Sequence, residues 1–285
     1  MHDSAGSGFQ GRVSVITGAA SGIGRALALE LAARGSDLAL CDVNEDELAE
    51  TVKRVEASPG WSAGRRVTSE RVDVSERASV EGFRDRVLEV HGRADAIINN
   101  AGVTVNESVV DMSYEDFEWI MGINFWGVVY GTKAFLPHLL ERDDGWVVNI
   151  SSVFGIIAFP YQSAYNATKF AVRGFTEALR MEMAETGVTP LSVHPGGIKT
   201  NIVRSGRIRN TADGVDAQTM IDQFDELMAR TSAEEAATII ADAMAARQNR
   251  VLVGKDALLI DAVQRLMPVR YPQLLDAVQS RLKDR

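Results

Sequence analysis

Short apolar runs alternate with longer amphipathic stretches along nearly the whole chain. The runs are RVSVITG at 12–18, DLALCDV at 37–43, SERVDV at 69–74, ADAIINNAG at 94–102, GWVVNISS at 145–152, TPLSVHPGG at 189–197 and NRVLVG at 249–254. Between them, apolar positions three and four apart predict helices near 22–34, 45–57, 76–91, 113–140, 164–186 and 232–247. The runs are apolar at successive positions, which suits strands covered on both faces. Strands separated by helices pair in parallel through right-handed crossovers. The pattern predicts an α/β fold with a central parallel sheet of about seven strands, flanked by helices, in one domain.

Three segments fall outside this rhythm. Residues 1–10 read as a flexible leader before a domain spanning 11–255. Residues 201–231 form a long polar insertion, expected as a lid over a bound substrate. Residues 256–285 extend the C-terminus as two amphipathic helices split by Pro268 and Pro272. Leu258, Leu259, Ile260, Leu266, Leu274, Leu275 and Val278 recur there at helical spacing and are expected to cover the substrate cleft or a subunit interface.

A formal net charge of −9 speaks against a nucleic-acid partner, which calls for clustered Lys and Arg. Cys41 is the single cysteine, so no intrachain disulfide forms and no metal site is expected; within DLALCDV it reads as a buried, inert thiol. No stretch reaches the ~18 apolar residues of a membrane span, and a cytoplasmic location follows by default.

The first strand runs straight into TGAASGIG, Thr17–Gly24, and then into a helix. Gly18, Gly22 and Gly24 let the backbone turn tightly and approach a ligand, while Ser21, Ile23 and the helix N-terminus offer free N–H groups to a pyrophosphate. The spacing G-x-x-x-G-x-G differs from the common G-x-G-x-x-G, and a plain βα turn is the alternative. Asp42 ends the second strand 18 residues after Gly24, with Val43 beside it, where a carboxylate accepts hydrogen bonds from an adenosine ribose. It would repel a 2′-phosphate, and no Lys or Arg follows closely in CDVNEDEL, so NAD is favoured over NADP. Asp42 is alternatively the N-cap of the next helix, a role open to Asn44 as well. These features point to a doubly wound Rossmann fold.

SAYNATKF places Tyr165 and Lys169 four apart, one helical turn, with the phenol beside the ammonium. TGAASGIG, NNAG at 99–102, Asn124, Ser151–Ser152, Tyr165-x-x-x-Lys169 and PGGIKT at 195–200 appear in this order, and together they resemble the short-chain dehydrogenase/reductase family over roughly residues 10–255. The resemblance implies an oxidoreductase acting on an alcohol or ketone with NAD, and a homodimer or homotetramer with helices 113–140 and 164–186 as candidate interface. It implies Tyr165 as acid/base, Lys169 lowering its pKa and binding the nicotinamide ribose, Ser152 donating to the substrate oxygen and Asn124 relaying protons through a water. By the same resemblance Asp73 and Val74 flank adenine, Asn99, Asn100, Ala101 and Gly102 line the sheet edge, and Pro195, Gly196, Ile198 and Thr200 approach the carboxamide. Each residue has a plainer role: a surface Tyr–Lys pair, a Ser152 bonded to its own backbone, an Asn124 satisfying a helix kink, a sheet-stabilising turn at NNAG.

Beyond Ser152, Phe154, Ile156, Ile157, Phe159 and Tyr161 are expected either to wall a pocket for a lipophilic substrate or to pack against a partner subunit or the following loop. Arg204, Arg207 and Arg209 read as a solvated basic face, with capture of an acidic substrate group the alternative, His194 as a strand-end residue, and Trp61, Trp119, Trp126 and Trp146 as packing. Two other functions remain open: an NADPH-dependent ketoreductase, or a dinucleotide-sensing regulatory protein without turnover.

Overall fold

The computed structural model describes residues 8–62, 64–199, 206–208 and 231–273. Most of the 201–231 insertion and of the second C-terminal helix, together with Arg204, Arg209, Thr200 and the residues before Gly8, therefore lie outside the described residues. Seven strands form one parallel sheet: β1 (Val13–Thr17), β2 (Asp37–Asp42), β3 (Val67–Arg71), β4 (Ala96–Asn99), β6 (Gly145–Ile150), β7 (Val188–Pro195) and β9 (Arg250–Val253), in the order β3-β2-β1-β4-β6-β7-β9. Two short strands, β5 (Val105–Asn106) and β8 (Arg207–Ile208), make a separate parallel pair that the apolar pattern did not signal.

Burial explains why the strands read as continuous apolar runs. Every residue of β1, β4, β6 and β7 is buried, whereas the edge strands β3 and β9 are largely half-open. Alternation still decides the destination of each side chain. Ile16, Leu38, Leu40, Ile98 and Val148 face one layer with α1 (Gly22–Ala33), α2 (Glu45–Glu56) and α7 (Ala233–Ala245). Their neighbours Val15, Ala39, Cys41, Ile97 and Val147 face the other, with α3 (Arg77–His91), α5 (Gly127–Glu141) and α6 (Ser163–Glu182). Helix starts carry their caps: Asn44, Ser113 and Ser232 accept from the amides of Glu47, Asp116 and Glu235, the second beginning α4 (Tyr114–Met121). Gly254 precedes the last described helix, α8 (Lys255–Leu266).

Three expectations shift. The third strand sits earlier than SERVDV, because Asp73 turns the chain by accepting from both the amide and hydroxyl of Ser75, leaving Asp73 and Val74 in a loop. The helix expected over 113–140 is α4 and α5 joined by a widened π turn, Gly122–Trp126. The tryptophans divide. Trp146 is buried, donates to the Met244 carbonyl and has the Arg12 and Arg247 guanidinium groups each 4.7 Å from its ring centre, while Trp126 is 47% exposed and stacks on Tyr130. Cys41 is buried as expected, and burial pushes its thiol well up. Among the described residues no helix is long and apolar enough to cross a membrane.

Candidate active site

A cleft of about 1030 Å³ opens along the carboxyl edge of the sheet, across the point between β1 and β4 where the strand order reverses. In open α/β sheets that edge holds ligands, because diverging loops leave a crevice there. At one end lie Gly18, Ser21, Gly22 and Ile23 of the turn after β1, then Asp42, Val43, Asp73 and Val74. Asn100, Ala101 and Gly102 form the floor, and Ser152, Tyr165, Lys169, Pro195, Gly196 and Ile198 close the other end.

The glycine turn is shaped by contacts that leave no room for side chains. Gly18 and Gly22 have φ of 66° and 51°. A Cβ on Gly18 would lie 2.7 Å from Ala101 Cα. Asn100 clamps the turn by donating from Nδ2 to the Thr17 and Gly18 carbonyls at 3.0 Å each, and Thr17 Oγ1 accepts from the amides of Asn100 and Ala101. Ser21 makes no side-chain cap, so the N–H groups of the first turn of α1 stay free toward the cleft. Gly24 does not line the cleft: a Cβ there would overlap the Gly18 carbonyl, so it serves the packing of α1 against the turn. Asn99 also turns away, donating to Asn149 Oδ1 at 2.8 Å within the core.

Asp42 does double duty. Its Oδ2 accepts from Ala20 N and its Oδ1 from Asn44 N, both at 3.0 Å, while Asn44 supplies the helix cap. Each carboxylate oxygen keeps a lone pair for a further donor in the cleft. Arg71, opposite Asp42 in the β2–β3 register, lines the same end.

At the other end, Ser152 Oγ accepts from Phe154 N at 3.1 Å, so its proton is free to be donated, and it bonds the Tyr165 phenol. Lys169 is 3% exposed; its Nζ donates to the Ile150 carbonyl at 3.0 Å and lies 5.5 Å from the Tyr165 ring centre. The expected depression of the phenol by Lys169 is corrected here. Enclosure disfavours the phenolate and pushes Tyr165 up to about 12, eased by the bond from Ser152, while burial lowers Lys169 to about 8. Desolvation is the largest influence on both groups.

Asn124 lies behind the cleft. It is fully buried in the π turn, with Oδ1 accepting from Val103 N and Nδ2 donating to the Val103 carbonyl and Thr168 Oγ1. It does not line the cleft, and its side chain holds the segment after NNAG in place. His194, hydrogen-bonded to Ser192 Oγ and the Ser152 carbonyl, is lowered by burial to about 4 and stays neutral, as a structural residue.

Of the segment after Ser152, Phe154 and Phe159 reach the cleft, stacked at 5.5 Å, with Phe154 edge-on to Tyr165. Ile156 and Ile157 instead sink into the core, and Tyr161 does not line the cleft but takes φ 61°, its carbonyl accepting from Glu107 N. Arg207 is not a freely solvated cation: it pairs with Asp116 at 2.5 Å and lies over Trp119, which does line the cleft. Residues missed from sequence include Trp119, Gln162 and Asp256. Asp256 accepts from Gly197 N at 2.7 Å, and a lone acid in a first helical turn gives no sequence signal of that reach.

A family profile described as short chain dehydrogenase matches residues 12–210. The chain belongs to the short-chain dehydrogenase/reductase family. Among curated relatives of this family, the putative oxidoreductase SadH of Mycobacterium tuberculosis is 49% identical over 95% of this chain and 96% of its own length. The 3-oxoacyl-[acyl-carrier-protein] reductase FabG of Thermotoga maritima is 35% identical over 67% of this chain and 76% of its own. Among solved structures, a short-chain dehydrogenase/reductase from Burkholderia phymatum in complex with NAD superposes with a TM-score of 0.82 at 31% identity, covering 91% of this chain and 94% of that one. Levodione reductase gives 0.78 at 29% identity, over 89% and 99%.

Proposed function

We propose that this oxidoreductase moves a hydride between NAD(H) and the alcohol/carbonyl pair of a lipophilic small molecule. The observation that carries the reading is the meeting of Ser152, Tyr165 and Lys169 in one cleft with the glycine turn and Asp42. The Burkholderia relative's complex with NAD supports the dinucleotide, and relatives named as reductases of levodione and of 3-oxoacyl carrier protein support a carbonyl substrate. The cleft fits a dinucleotide on its own geometry: a side-chain-free cradle at Gly18, uncapped amides at the start of α1 and a carboxylate at Asp42.

When bound, the nicotinamide supplies the hydride donor or acceptor and, oxidised, a positive charge. In reduction Tyr165 gives its phenolic proton to the carbonyl oxygen; in oxidation it would first release that proton towards Lys169 and, as phenolate, take the hydroxyl proton. Ser152 donates to the same oxygen as charge develops there. Lys169, near half-protonated at pH 8, restores the proton to Tyr165. Asn124 holds the floor against α6 through Val103 and Thr168. Phe154, Phe159 and Trp119 give the substrate an apolar wall.

The test is a panel of secondary alcohols and ketones followed by NADH absorbance, with Tyr165→Phe expected to lower kcat by ~10²–10⁴ while NADH binding persists. Turnover unchanged in that variant would sink the proposal; binding with no turnover in the wild-type chain would favour the sensing role. Arg71 beside Asp42 favours one second reading, use of NADP, so kcat/KM for NAD and NADP should be compared. A homo-oligomer is supported by exposed Trp126 and Phe170 on the π turn and α6, and light scattering tests it.

A further inference from the structure

Helix α8 and the residues after it touch both loops at the substrate end of the cleft. At its start, Asp256 Oδ2 accepts from Gly197 N at 2.7 Å, in the turn that follows β7. The fit is close: a Cβ on Gly196 would overlap that carboxylate, and so would one on Gly254, whose φ of 102° lets the chain enter the helix beside it. An aspartate in a first turn ordinarily complements its own helix's free amides. Here it spans to a different strand's loop and lines the cleft as it does so. Beyond the far end of α8, the Tyr271 hydroxyl accepts from Ala158 N at 3.0 Å, in the segment that carries Phe154 and Phe159. The 12 residues of α8 separate the two contacts by ~18 Å of helix, and α8 also packs against the turn Val153–Gly155.

We propose that α8 is a brace that sets the distance between these loops, with Asp256 the positioning residue for Gly196–Gly197 and Tyr271 for Ala158. The C-terminal extension then belongs to the site although the family profile stops at residue 210. The proposal rests on the dinucleotide reading only where it predicts cofactor affinity; its loop-ordering claim stands apart.

Three variants of the full chain test it: Asp256→Ala, Asp256→Asn and Tyr271→Phe. Hydrogen exchange is measured without cofactor, NADH affinity by fluorescence, and Tm alongside. Asp256→Ala should speed exchange at Gly197 and raise the NADH Kd about tenfold, as expected for losing a charged hydrogen bond. Asp256→Asn keeps an accepting oxygen and should stay within about threefold of wild type. Tyr271→Phe should speed exchange around Ala158 and leave the NADH Kd unchanged. Exchange at Gly197 equal to wild type in Asp256→Ala overturns the brace, as does a fall in Tm common to both Asp256 variants with no change in Kd. Should wild type bind no NADH while Asp256→Ala still frees Gly197, the dinucleotide reading fails and the brace survives.

Discussion

Asp42 and Asp256 line the same cleft, and each accepts a hydrogen bond from a loop amide, but Asp42 reaches Ala20 across 22 residues of sequence and Asp256 reaches Gly197 across 59. The first belongs to a single β-α-β unit, whose parts are adjacent in the chain. The second needs β7, β9 and α8 to be in place before it exists. The glycine-turn end combines the local Asp42 bond with a distant clamp, the Asn100 side chain on the Thr17 and Gly18 carbonyls, whereas the other end is tied by side chains that reach from α8 and the residues after it. At the first end the closest contacts around the glycines include backbone atoms, and at Gly196 they are with the far end of the Asp256 side chain.

The comparison is open to attack at four points. The largest effect is expected for Gly24→Val, where the new side chain meets the Gly18 carbonyl and Asn100 Nδ2, groups fixed by the sheet. NADH affinity should fall at least ~100-fold in calorimetry, from overpacking and a displaced anion site. Gly196→Ala is the matched probe of the other end: its clash is with the Asp256 carboxylate, the far end of a movable side chain, so affinity should fall less than about tenfold. Equal losses would erase the distinction between the two ends.

Asp42→Ala should weaken NAD by ~10- to 100-fold and lift the NADP/NAD ratio, since a carboxylate's hydrogen bonds are lost and its repulsion of a phosphate is removed. An unchanged ratio would deny Asp42 its role in cofactor choice. The fourth point is a pH trend in stability. Folding lowers Lys169 from 10.5 to about 8, so between those values the unfolded chain holds a proton that the folded chain has released. Stability at this residue therefore rises with pH across that window, by about 3 kcal/mol at ~1.36 kcal/mol per pKa unit. Tyr165, raised from 10.0 to about 12, acts in the opposite sense and only above pH 10. Denaturation midpoints of wild type and Lys169→Met should change relative to one another from pH 7.5 to 10, the variant's advantage shrinking. Parallel curves would show that the buried ammonium carries no desolvation cost.

Most of the sheet was legible because parallel strands covered on both faces leave an unbroken apolar mark, as in β1, β6 and β7. Gly18, Asp42, Ser152, Tyr165 and Lys169 were legible as candidates because their spacing within a turn or a helix already fixes their geometry. The pair β5–β8 left no mark, since two-residue strands have no period to detect. Ile156 and Ile157 stayed undecided between pocket wall and packing because hydrophobicity does not say whether a residue faces a cleft or the core behind it.

The sequence by itself determined which residues turn the chain, which faces are apolar and which four-residue spacing sets a phenol near an ammonium, because these depend on backbone geometry a few positions long. Only the tertiary structure decided what those groups experience. It buried Lys169 and enclosed Tyr165 in the cleft so that desolvation is the largest influence on each, tied Asn124 to the Val103 backbone and brought Asp256 to the turn after β7. Dielectric environment and long-range hydrogen bonds are properties of the assembled fold, since each depends on everything packed around a group.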